Sequence, residues 1–242
     1  MWQVPYRKRD LEAGATLLYP TMLESPELRW SFIRKVYSIL TFQLLLTVAV
    51  SAVVVKVCPI AVFFATTPDG LALYILLLVM PFILLYPLSY YHQKHPVNYI
   101  LLGLFTICIS SAIGLTSAFT DGRVILEAAI LTTGVAVGLT LYTFWAAKRG
   151  YDFNFLGPFL SAAIFVVILF CLLQIFLPLG KISHMVYSCI AAIVFCGYTI
   201  YDTDNLIKRY SYDEYIWASV ALYLDIINLF LSLLMIFRAA DR

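Results

Sequence analysis

Seven apolar runs of about 20 residues, at about 36–57, 71–91, 98–120, 124–147, 155–177, 184–205 and 214–238, take up most of this chain. A helix needs roughly 20 apolar residues to cross a hydrocarbon core about 30 Å thick, and inside that core each backbone polar group must find its partner within the protein. The chain is therefore predicted to be an all-α integral membrane protein with seven transmembrane helices. A composition that is 62% hydrophobic and only 12% charged, with a mean hydropathy of +0.90, excludes a soluble domain of this size.

The connections between the runs are short and carry helix breakers: Cys58-Pro59, Pro68-Asp69-Gly70, His95-Pro96, Asp121-Gly122, Gly157-Pro158 and Pro178-Leu179-Gly180. They leave no room for a second soluble domain. The expected organisation is a polar tail over 1–30 and a single membrane-embedded helical domain over 31–242. The tail contains Pro5, Pro20 and Pro26 and has no apolar stretch just behind Arg7-Lys8-Arg9, so no cleavable signal peptide is expected. The first span then acts as its own insertion signal.

Lys and Arg near helix ends are retained on the cytoplasmic side, and here they are unevenly divided. Arg7, Lys8, Arg9, Arg29, Arg34, Lys35, Lys94, Lys148, Arg149, Lys208 and Arg209 fall on one side, against Lys56, Arg123 and Lys181 on the other. That bias predicts a cytoplasmic amino terminus and a cytoplasmic connection between the sixth and seventh runs. A seventh run that crosses fully places Arg238 and Arg242 outside, whereas a re-entrant one keeps them inside. The 23 apolar residues from Tyr215 to Phe237 are enough to span, which favours a full crossing. The net charge of +2 comes mainly from this topological bias, and no nucleic-acid partner is implied. The five cysteines form no C-x-x-C pair and read as small buried hydrophobes.

Chemistry can be argued in the terminal hairpin. Asp225 lies at the midpoint of the last run, and a carboxylate at that depth is costly and usually functional. Asp202 lies near the end of the preceding run, and the two are symmetric about the turn Ser211-Tyr212-Asp213-Glu214. If both helices ran straight to that turn, each carboxylate would lie roughly 17 Å back along its helix, at similar depth. Two carboxyls facing each other in a low dielectric cannot both ionise cheaply, so the pair is expected to share a proton and respond to pH. Asn228 follows Asp225 by one helical turn and can serve a carboxylate or a cation, and Tyr201 and Tyr223 each lie beside an aspartate. Oxygen ligands of this kind suit calcium better than zinc or copper, which makes Asp202 and Asp225 candidate transient calcium ligands.

Other polar residues have plainer readings. Asp204 is expected at a helix end, marking the interface, and Glu127 either snorkels outward or lines a pore mouth. His92 and His95 lack a nearby carboxylate or Cys to complete a metal site. Gly134 and Gly138 form a small-residue face suited to helix packing, Pro81 predicts a kink, and Tyr86, Tyr90 and Tyr91 read as an interfacial belt.

Four stretches carry a family resemblance: Arg29 to Tyr37, Ile130 to Thr143, Phe195-Cys196-Gly197 through Ile200-Tyr201-Asp202-Thr203, and Leu222-Tyr223-Leu224-Asp225-Ile226-Ile227-Asn228-Leu229-Phe230-Leu231. They resemble the transmembrane Bax-inhibitor-motif family, and within it the Lifeguard and Golgi anti-apoptotic branch, over nearly all of 29–238. The resemblance implies six helices around a central carboxyl-terminal one, a pH-sensitive calcium leak across internal membranes, and suppression of programmed cell death. It places the family's paired aspartates on Asp202 and Asp225. Some bacterial members latch one aspartate with a basic residue of the second helix; residues 71–91 here contain none, which leaves a shared-proton gate.

The resulting expectation is a non-enzymatic, pH-gated cation leak channel that needs no cofactor, with calcium as the permeant ion. Endoplasmic reticulum or Golgi membranes are expected, with plasma and vacuolar membranes as alternatives. Its partners would be the lipid bilayer and cell-death or calcium-handling membrane proteins. The alternative is a non-conducting membrane scaffold that regulates cell death through partner proteins. An intramembrane aspartyl protease also uses a Tyr-Asp, but its second motif needs Gly-x-Gly-Asp, and Asp225 follows Leu222-Tyr223-Leu224. A seven-helix receptor fits poorly with such short loops.

Overall fold

The computed structural model describes residues 17–20, 22, 25–177 and 180–241. Among them are eight α-helices: α1 (Pro26–Lys56), α2 (Cys58–Thr66), α3 (Pro68–Tyr91), α4 (Val97–Ser117), α5 (Gly122–Lys148), α6 (Leu156–Phe176), α7 (Lys181–Lys208) and α8 (Tyr215–Ala240). All except α2 are long and apolar enough to cross a membrane, so the protein is an all-α multi-pass membrane protein. The seven expected spans are present, each beginning or ending within a few residues of its apolar run apart from α1. That helix starts ten residues early, because the amphipathic stretch around Arg29 also winds.

The short helix α2 was not foreseen. Pro59, read as a breaker, lies in its first turn, where a proline forfeits no helical hydrogen bond. The turn into α3 is tight: Thr67 caps the helix by accepting from the Gly70 amide at 3.0 Å. A Cβ on Gly70 would come within 2.2 Å of the Phe63 carbonyl oxygen, so the close approach requires glycine.

The contacts divide the chain into two units. The first comprises the described residues of Met1–Tyr37 and Glu127–Arg242, the second Ser38–Leu126. In the second unit, α1 and α4 meet along a polar seam. Gln43 Nε2 donates to Thr106 Oγ1 at 3.1 Å, Ser110 Oγ donates to Thr47 Oγ1 at 3.1 Å, and Ser51 Oγ donates to the Ser110 carbonyl at 2.8 Å. Where lipid is as apolar as the side chains, such bonds and close backbone approach hold helices together. Gly114 supplies that approach, since a Cβ there would lie 2.7 Å from Val54 Cβ.

The first unit is organised on the α7–α8 hairpin. α8 is its most buried span: 44% of its most apolar stretch is buried, against 28% in α7 and 11% in α6. The turn between the helices is closed by a capping box, in which the Ser211 amide donates to Glu214 Oε2 at 2.9 Å. The start of α1 docks on this turn. Arg29 is buried, donates to the Tyr210 carbonyl at 2.6 Å and lies over the Tyr212 ring at 5.0 Å. Trp30 stacks on Phe144 of α5, with ring centroids 5.8 Å apart. α6 meets α7 through Leu160, Val167, Ala191 and Val194, and Gly157 leaves room for the Tyr201 ring. The small-residue face of α5 is not used in this way: a Cβ on Gly134 or Gly138 meets nothing within 4 Å among the described residues.

Candidate functional site

The hairpin brings Asp202 of α7 and Asp225 of α8 into hydrogen-bonding reach of each other. The route differs from straight helices meeting at a symmetric turn. α7 stops at Lys208, leaving Asp202 roughly 9 Å from its end, whereas Asp225 lies roughly 15 Å into α8. The connection Arg209–Ser211 and the 3-10 turn Tyr212–Glu214 make up the difference. Asp225 is 5% exposed, and its Oδ2 has no hydrogen-bond partner among the described residues. Asp202 is half-buried and accepts from Asn205 Nδ2 at 3.5 Å. Tyr198, hydrogen-bonded to Ser161 of α6, lies close enough to feel both carboxyls.

The supporting residues are arranged less directly. Asn228 donates its amide to the Leu224 carbonyl at 2.8 Å, one turn back on its own helix. Tyr223 is fully buried in α8, and Tyr201 packs its ring against Gly157. Just beyond the spans, the phenol of Tyr210 is raised above its ordinary range, by burial first and then by the charges of Asp202 and Asp225.

Asp204 is the residue whose surroundings the sequence reading missed. It lies one turn from the end of α7, as expected, but it is fully buried and answered by two cations: Lys208 Nζ at 2.6 Å from Oδ1 and Arg209 Nη1 at 3.2 Å from Oδ2. The Phe153 amide also donates to Oδ2 at 3.3 Å. Arg209 extends to Asp152 and to Asn205 Oδ1, the latter at 2.6 Å. Burial works against the Asp152 carboxylate, but the hydrogen bonds from Arg209 and the Asn154 amide hold it below the usual range. The signal was available: Lys208 follows Asp204 by four residues, the spacing at which a helical ion pair forms.

A multi-pass helical membrane protein with a carboxyl pair across its terminal hairpin is thus the class defined by fold and site. Residues 29–242 match the family described as inhibitor of apoptosis-promoting Bax1, and the chain belongs to that family. It is 70% identical to Protein LIFEGUARD 4 of Arabidopsis thaliana, over 99% of each chain. It is 54% identical to the BI1-like protein of the same plant, over 96% of this chain and 91% of that one. It is also 40% identical to the Golgi anti-apoptotic protein of Vaccinia virus (strain Lister), over 90% of this chain and 89% of the viral one.

Proposed function

We propose that this protein is a pH-sensitive calcium leak channel of endoplasmic reticulum or Golgi membranes, with its amino terminus in the cytoplasm, that suppresses programmed cell death. The cell-death part rests on the names of its relatives and the family description. The conduction part rests on one observation, the contact between Asp202 and Asp225 inside the membrane-spanning hairpin. Two carboxylates about 4 Å apart would repel by roughly 4 kcal/mol at an effective dielectric of about 20, so a contact this close calls for a proton between them. Loss of that proton leaves two charges, which part or take up a cation. Hard, flexible carboxylate oxygens suit a permeating calcium ion, with the side-chain oxygen of Asn228 as a further ligand. The change in protonation shifts α8 against α7 and so opens or closes the path.

Calcium efflux from liposomes holding the purified protein tests this from about pH 5 to about pH 8. Wild type should conduct with a pH-dependent rate, and Asp225→Asn and Asp202→Asn should each abolish the pH dependence. An unchanged profile in both variants would sink the gate. No efflux at any pH, with cell protection intact in the double variant, would favour the non-conducting scaffold.

A further inference from the structure

We infer that Asn205 and Arg209 are positioning residues for Asp202, held by an ion-pair clamp that ties the Arg149–Phe155 connection to the end of α7. The clamp is built around a carboxylate with no exposed surface, Asp204. A buried ion pair stabilises little in net terms, because desolvation offsets most of the attraction; the best-attested use of such a pair is to select one geometry. Arg209 enforces that geometry by touching three acceptors on two segments: Asp204 Oδ2, Asn205 Oδ1 and the Asp152 carboxylate. Only a planar guanidinium fork can do this, so charge alone is not enough. On the loop side, the Phe153 amide donates to Asp204, and the Tyr151 carbonyl accepts from Lys208 Nζ at 2.5 Å.

The clamp reaches the proposed ion path through one side chain. With its Oδ1 fixed by Arg209, Asn205 can present only its Nδ2 to Asp202, which it does at 3.5 Å. At that length the contact orients the carboxyl rather than holding it tightly. Asp202 is therefore kept facing Asp225 by a chain that starts in a water-facing loop, where Asp152 is 58% exposed. The consequence for conduction rests on the leak reading above, whereas the clamp rests on geometry alone.

Two measurements on the full-length protein in lipid nanodiscs and liposomes separate these levels. Arg209→Lys keeps the charge and removes the fork; the amides of Phe153 and Asn154 should then exchange with deuterium about tenfold faster. Asn205→Ala leaves the loop bonds in place; loop exchange should match wild type while the calcium leak, at one fixed pH, rises about threefold or more. Unchanged loop exchange in Arg209→Lys overturns the clamp. A leak in Asn205→Ala equal to or below wild type overturns the positioning role. A wild-type protein that passes no calcium overturns the leak reading and the conduction role of Asn205 with it, and loop exchange in Arg209→Lys still decides the clamp.

Discussion

A carboxylate with no exposed surface persists in a fold only where its charge is answered locally, and Asp204 has two cations and an amide around it. Asp202 and Asp225 were legible in the sequence because a carboxylate inside an apolar run stands out. The role of Asp204 was legible only in part: its spacing to Lys208 signals a helical ion pair, but the Phe153 amide comes from a loop about fifty residues earlier, and no periodicity reports such a contact. Tyr210 offers a test at this scale. Its phenol is raised above the ordinary value of 10.0 by burial and by the nearby aspartates. An acid with a raised folded pKa contributes stability that is fully present below the unfolded value and is lost as pH climbs towards the folded one. Thermal unfolding in detergent should therefore show wild type losing stability above about pH 10, with Tyr210→Phe losing less. Equal alkaline losses would show that Tyr210 titrates as if exposed.

Elements were easier to foresee than the faces they use. Apolar length located every span, yet Gly134 and Gly138, whose spacing suggested a packing face, meet nothing within 4 Å among the described residues, whereas Gly114 sits against Val54 and Ser51. Sequence spacing says which residues share a helical face but not which face another helix covers. The two glycines should respond in opposite ways. Gly114→Val pushes a side chain into α1 at a point where Ser51 Cα would lie 3.1 Å from the new Cβ. It should cost about 1–3 kcal/mol, as overpacked cores do. Gly134→Ala adds a methyl group to open space inside a helix and should stabilise by about 0.4–1 kcal/mol through the lost backbone freedom of glycine. Unfolding midpoints in the same detergent compare the two directly, and equal effects would mean that the α1–α4 approach is looser than described.

For the whole molecule, the division of basic residues carries the topological prediction. An epitope tag at the amino terminus should be cut by protease added to sealed microsomes, as should a site placed in the exposed turn at Asp213. Protection of the amino-terminal tag would invert the assignment. The number of spans was legible because membrane insertion depends on segment length and apolarity, both local properties. The pairing of α1 with α4 by a polar seam was not, because Gln43, Thr47 and Ser51 are individually unremarkable and become a seam only opposite Thr106 and Ser110.

The hairpin also sets an order of events during synthesis. Asp202 belongs to the sixth span and its partner Asp225 to the seventh, so the sixth enters the bilayer before its carboxyl has anything to face. Until the last helix arrives, the chain holds a polar group in lipid without that partner, a state that membrane quality control can recognise. The same contact proposed here as a gate in the finished protein is thus a marker that the final helix has been inserted, and variants that weaken α8 should be cleared as immature chains before they have any chance to leak.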